Sequence, residues 1–178
     1  MSKMTILLVA ANEGDGEALN QLFVDCYPEL RRLAHARIRR SRAITLLDTT
    51  ALVHESYCRF LSAGQVQIAD RSYFMAYAAR VMRSIIVDLI RERLSRPVRV
   101  NLEGDLPVLV SKDESEILDV HQALEKLAVI SERLVRIVEM RYFAGMTETE
   151  IGEALGMTER TVRRDWEKAR MLLAATLT

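Results

Sequence analysis

Between Met146 and Arg170 the chain has little freedom in how it can fold. Thr147 followed three residues later by Glu150 is a capping box, in which a hydroxyl and a carboxylate satisfy the free backbone donors where a helix begins. Ile151, Ala154 and Leu155 then recur at helical spacing and define one buried stripe. Gly156 stands just past that stripe, where a helix end commonly needs positive φ, and Thr158 can cap the helix that follows. In this second helix Val162, Trp166, Ala169 and Leu173 fall at i, i+4, i+7 and i+11 and share a face. Arg160 and Arg164 fall opposite, flanked by Thr161, Arg163 and Lys168. The pattern predicts two short helices around a tight turn, with a basic outer face suited to a DNA major groove. Arginine can bond base edges bidentately there, while hydroxyls and flanking cations hold phosphates. An ordinary solvated face is the bland alternative for any basic amphipathic helix. The box, the turn glycine, the second cap and the phased arginines together argue against it.

Net charge at first speaks against a nucleic-acid partner, because 25 basic residues balance 25 acidic ones. The distribution is uneven, however. Met1 to Arg99 carries 15 basic and 10 acidic residues, Val100 to Met157 carries 5 and 12, and Thr158 to the end carries 5 and 3. A basic front and a basic tail flank an acidic middle, which leaves nucleic-acid binding open. An apolar fraction of 49% in 178 residues is ample for folded cores. Cys26 and Cys58 are isolated, and free thiols in a reducing compartment are expected. Ile6 to Ala11 is too short for a signal-peptide core and no apolar run could span a bilayer, so a cytoplasmic protein without a membrane role is expected.

Helical phasing dominates the rest. Met4 to Ala11 predicts a short opening helix that stops near Gly14, and Asp15 is placed to cap the next. Leu19, Leu22, Phe23, Cys26, Leu30 and Leu33 continue a stripe to about Arg40, with Pro28 expected to kink or split it. Arg31, Arg32, Arg37, Arg39, Arg40 and Arg42 crowd its far end, where the helix dipole favours cations and where acidic protein or nucleic acid could also dock. A third helix follows Asp48-Thr49-Thr50, with Val53, Tyr57, Phe60 and Leu61 inward and His54, Glu55, Cys58 and Arg59 largely outward. His54 and Cys58 could both reach a metal, but no further ligand is near in sequence and no metal site is expected. A fourth helix, Asp70 to about Leu94, buries Phe74, Ala78, Val81, Ile85 and Leu89. Arg83 points away from that stripe, with Arg80 and Arg91 to one side. Asp88 falls in phase with the stripe and is expected to hold an arginine within the fold. Ile86, Ile90 and Ala79 lie opposite, which calls for a second covering from neighbouring helices or a partner.

From Ser95 to Ser111 phasing stops around Pro97 and Pro107. It returns with Ile117, Val120, Leu124 and Leu127, and again with Leu134, Ile137 and Val138 after a cap at Ser131. No strand alternation or internal repeat is present. The expected architecture is all-α: two small helical domains, 1–94 and 114–178, joined by a linker at 95–113, the second a four-helix unit ending in the helix-turn-helix. No Gly-rich phosphate loop, H-E-x-x-H or nucleophile elbow appears, so neither an enzyme nor a cofactor is expected.

Several segments carry a family resemblance. Leu52-Val53-His54-Glu55-Ser56-Tyr57-Cys58-Arg59 is similar to the L-V-Q-E-[ST]-F-x-R segment of the extracytoplasmic-function (ECF) sigma factors, the small group of bacterial RNA polymerase sigma-70 factors. Arg80 through Asp88 resembles their R-x-A-R-N-x-x-x-D segment. Met140 to Thr147, Glu150-Ile151-Gly152, and Leu155-Gly156-Met157 to Thr161-Val162-Arg163 resemble their −35 reader. The wording of Thr49 to Glu55 and of Arg164-Asp165-Trp166 suggests the subgroup described as sigma-70 ECF-like. The chain departs from the pattern at Ala51, His54 and Ser84, where many members have an acid, Gln and Asn.

The resemblance implies a sigma factor that directs core polymerase to promoters. Leu52, Val53, His54, Glu55 and Arg59 would dock on the polymerase, through its β and β′ subunits. Arg80, Arg83, Ser84 and Arg91 would melt and read the −10 element. Thr158, Arg160, Thr161, Arg163, Arg164 and Lys168 would read the −35 element. Partners would be core polymerase, double-stranded and melted promoter DNA, and an anti-sigma factor as a candidate regulator, with the free chain monomeric. Apart from the resemblance, the main rival is a stand-alone helix-turn-helix regulator, which would need a dimer face and palindromic half-sites.

Overall fold

The computed structural model describes residues 2–40, 47–64, 67–95 and 112–177. Among them it is entirely α-helical apart from one π-helical turn, with no strand. Helices α1 (Lys3–Asn12), α2 (Gly16–Asp25), α3 (Tyr27–Arg40), α4 (Thr49–Ser62) and α5 (Arg71–Ser95) build the first half. Helices α6 (Lys112–Ile130) and α7 (Glu132–Val138), the π-helical turn Glu139–Phe143, α8 (Glu148–Leu155) and α9 (Glu159–Leu177) build the second. Arg42 and most of the expected linker, with Pro97, Pro107, Glu103 and Asp105, lie outside the described residues.

Local chemistry sets the boundaries. Asp15 caps α2 by accepting from the backbone N–H of Glu17 and Ala18, and Asp48 caps α4 by accepting from Ala51 at 2.7 Å. The stripe through Pro28 is split: α2 ends at Asp25 and α3 starts at Tyr27, with Pro28 in its first turn where its missing N–H costs nothing. Ser131 caps α7 through the Leu134 N–H. After α7 the Ala144 N–H reaches the Glu139 carbonyl at 2.9 Å, an i−5 bond that widens the turn and shifts the register of Glu139 to Phe143.

The first core gathers the aromatic rings of Phe23, Phe60 and Phe74, with Phe23 edge-on to both others at 5.0 and 5.4 Å between centroids. Leu22, Leu30, Leu52 and Met82 are fully buried around them. Each such side chain contributes about 1.5–3 kcal/mol by leaving water. A second core joins Ile137, Met140, Ile151 and Val162, and a third joins Leu124, Leu127, Leu134, Val138 and Ala169.

Three inward assignments need correction. Leu61 is 49% exposed, and its expected place in the core of the first half is taken by Leu52 with Ser56, whose hydroxyl bonds back to the Leu52 carbonyl at 2.7 Å. On α5, Val81 and Leu89 are only partly buried, whereas Ala79, Met82, Ile86 and Ile90 are fully buried. The reason is that α5 is covered twice. Helices α3 and α4 pack on one side, while the π-helical turn and α6 pack on the other. Ile117, Leu118, Phe143 and Ala144 of the second half lie against the first core. The second covering that Ile86, Ile90 and Ala79 call for comes from within the chain.

Candidate nucleic-acid interface

The helix-turn-helix forms as its local signals dictate. Thr147 and Glu150 exchange the two capping-box bonds, and the Thr147 backbone N–H donates to the Glu150 carboxylate at 2.7 Å, which with the hydroxyl holds that carboxyl below its ordinary range. Gly156 takes φ +64° at the end of α8, a left-handed conformation that only glycine adopts at no steric cost. Gly152 matters for a different reason. A Cβ there would stand 2.7 Å from the Met157 carbonyl oxygen, so its absence lets the turn pass under α8. Thr158 caps α9 by accepting from the Thr161 N–H, and the two hydroxyls bond each other at 3.0 Å.

On α9 the structure brings the sequence-derived basic residues to one open face. Val162 and Ala169 are fully buried, and Arg160, Arg164 and Lys168 are exposed on the other side. Arg160 and Lys168 make no ion pair among the described residues. Arg164 is 72% exposed and lies 3.4 Å from Asp165, a buried carboxylate that also takes Arg133 of α7 at 2.8 Å. Arg163 is different: its Nε and Nη2 both bond Glu148 of α8, at 2.9 and 2.7 Å. The guanidinium lowers the Glu148 pKa, and the carboxylate raises that of Arg163. Arg163 is therefore a strut between the two helices of the motif as well as a flanking cation.

The residues expected at the −10 element do not share one surface. Arg80 and Ser84 line a groove of about 470 Å³ on α5, together with Arg59, Ser62 and Tyr77. Arg91 is exposed further along. Arg83 is 7% exposed and buried between the halves, so the side of α5 away from the main stripe meets the second half here and not solvent, a correction to its expected exposure. Its guanidinium pairs with Glu139 in the π-helical turn and donates to His121 Nδ1 on α6 at 2.6 Å. A guanidinium has no acceptor, so His121 Nδ1 is unprotonated and the ring proton sits on Nε2, 3.1 Å from Glu125. Burial first, and then the Arg83 charge, lower the His121 pKa. Arg37 shares this seam. It stacks over the Phe143 ring at 3.9 Å to the centroid, with Arg83 at 5.7 Å, so part of the arginine cluster on α3 is structural.

The expected docking residues also divide. Leu52 and Val53 are core, so they shape α4 rather than touch a partner. His54 and Glu55 are exposed and line a groove of about 450 Å³ with Asp48, Thr50, Ala51 and Cys58. Arg59 turns toward α5, where it pairs with Asp88 at 2.7 Å and reaches the Ser84 hydroxyl at 3.5 Å. Asp88 thus holds an arginine as its phase required, although on the surface.

Missed altogether were Glu114, Glu132, Glu139 and His121, which meet α5 from the second half. One signal was available: Glu139 follows Val135 by four residues on an apolar stripe, the same reasoning that singled out Asp88.

A helical chain that ends in a capped helix-turn-helix with an open arginine face has the parts of a DNA-binding protein. The ECF sigma factor family model matches residues 1–178, the whole chain, and the chain belongs to that family. It is a sigma factor of transcription initiation, in a family of non-enzymatic transcription factors that work with RNA polymerase and promoter DNA. No curated protein matches. Among solved structures, one titled as CnrH in complex with the cytosolic domain of CnrY aligns over 99% of this chain and 97% of that one, at 20% identity and a TM-score of 0.40. Among the described residues no helix is long and apolar enough to cross a membrane.

Proposed function

We propose that this sigma factor grips its promoter at two places while fastened to core polymerase. Residues 114–178 form the upstream reader, with α9 entering the major groove of the −35 element. Arg160 and Arg164 contact base edges there, and Lys168 with the Thr158 and Thr161 hydroxyls holds phosphates. Residues 1–94 form the downstream unit: the Arg80 and Ser84 groove, with Arg91, meets the −10 element, and the exposed His54 and Glu55 meet the polymerase. Residues 95–113 tether the two. Each interface is small, and tethering raises the effective concentration of the second once the first has bound.

The observation that carries this proposal is the open face of α9, where Arg160 and Lys168 have no ion pair among the described residues and Arg164 is largely exposed in a chain of this family. The test uses holoenzyme reconstituted from core polymerase and this chain, with binding measured on matched and scrambled −35 sequences. Arg164→Ala is expected to lose discrimination between them. Equal losses on both would remove Arg164 from base reading.

A further inference from the structure

Three arginines of α5 are each met by a glutamate from the second half. Arg80 pairs with Glu132 at 3.3 Å, Arg83 with Glu139, and Arg93 with Glu114. These carboxylates belong to the acidic middle of the chain, and two of the arginines, Arg80 and Arg83, are ones the −10 motif supplies. We propose that Glu114, Glu132 and Glu139 stand in for DNA phosphates, so that the second half covers α5 in the free chain and must leave before α5 can hold a melted promoter strand. A carboxylate offers a guanidinium the same charge-assisted acceptors that a phosphate oxygen does.

The seam is built to open. At its centre the Arg83–Glu139 pair is buried, and one Glu139 carboxylate oxygen has no hydrogen-bond partner among the described residues. A buried ion pair recovers its desolvation cost only when every lone pair is satisfied, so this one closes the seam without sealing it. Glu139 reaches α5 from the widened π-helical turn, a kind of distortion that often marks functional positions. At the edge, the Arg80–Glu132 pair is half exposed and screened by salt. Oligonucleotide phosphates would compete for the same guanidinium groups.

This inference rests on the proposed role of α5 in binding the −10 strand, and the experiment separates the two. The full chain would be labelled for energy transfer at the exposed Cys58 of α4 and at Glu167→Cys on the exposed side of α9, Cys26 being buried. A mixed-sequence single-stranded oligonucleotide is the probe. The chain alone should give high transfer, and saturating oligonucleotide should lower it. Glu132→Gln with Glu139→Gln should lower transfer without oligonucleotide and tighten oligonucleotide binding by up to about tenfold, the gain available if the open form begins near about 10% of the population. The fall in transfer when oligonucleotide is added to the labelled chain carrying both glutamates needs neither Gln substitution, so a misfolded double variant leaves the proposal testable. Unchanged transfer in both experiments, with oligonucleotide binding intact, would overturn the proposal alone. An absence of oligonucleotide binding in closed and opened forms alike would overturn it through the reading of α5.

Discussion

Helices α5 and α9 both carry several arginines, yet three of those on α5 are met by carboxylates of the second half while α9 keeps an open basic face. On α9 the flanking carboxylates fall at Glu148 and Asp165, which take up Arg163 and partly Arg164 and leave Arg160 and Lys168 to solvent. On α5 the carboxylates come from the second half of the chain and reach Arg80, Arg83 and Arg93. The residue type is the same in both places, and what differs is the origin of the counter-charge. Within a helical pair it braces the basic face; across the molecule it covers the arginines.

The largest way to break this contrast is at Gly152. A Cβ there meets the Met157 carbonyl, which cannot move without opening the turn, so Gly152→Ala should cost about 3 kcal/mol. Urea unfolding would read the loss, and duplex binding through α9 should vanish with it. A Gly152→Ala chain as stable and as tightly bound as the parent would show that the turn tolerates what the geometry forbids.

Next in size is the open face itself. Arg164→Ala should lose about 1–3 kcal/mol on the matched −35 sequence and far less on a scrambled one. Lys168→Ala should weaken both equally and reduce the salt slope by about one. Identical behaviour of the two variants would mean that α9 holds backbone only.

A smaller effect concerns the closed face and pH. His121 faces Arg83 and Arg91 of α5 and Glu125 of its own helix, while Arg83 in turn holds Glu139 of the π-helical turn. The closed form keeps the His121 pKa below its ordinary 6.5, so the open form takes up a proton first on acidification. Closure is unaffected above about 6.5 and weakens as pH falls from there toward the lowered value. Energy transfer between labels on Cys58 and Glu167→Cys would follow this, and His121→Gln should flatten the profile. Smallest of all is Asp88→Asn. The Arg59–Asp88 pair is 37% and 49% exposed, so its removal should change the stability read by urea unfolding by less than about 1 kcal/mol.

Much of the architecture was legible because it is written locally. Asp15, Asp48, Ser131, Thr147 and Gly156 each mark a boundary through a bond or a backbone conformation set within a few residues, and each does so in the structure. The open side of α9 was equally legible, since opposition on a helix follows from spacing alone. Arg83 was not. Its phase on α5 places it away from the main stripe, but whether that side meets water or another helix depends on Glu139, more than fifty residues on, and on a π-helical turn that spacing does not announce. Leu52 and Val53 lie between the two: the inward phase of Val53 holds and Leu52 is buried with it, because a docking helix must also be held in place, and the residues that hold it belong to the same motif as those that face outward. Asp88 lay between these cases, its need for an arginine readable from phase and its exposure not.

The central claim is that this chain confers promoter choice on a polymerase that lacks it. Run-off transcription with purified core polymerase and a pooled promoter library, read by sequencing the transcripts, tests it directly. Transcripts that start from a restricted promoter set only when the chain is added, and from a blurred set when Arg164 is changed to Ala, are the expected result. A transcript pool that is the same with and without the chain would contradict the account.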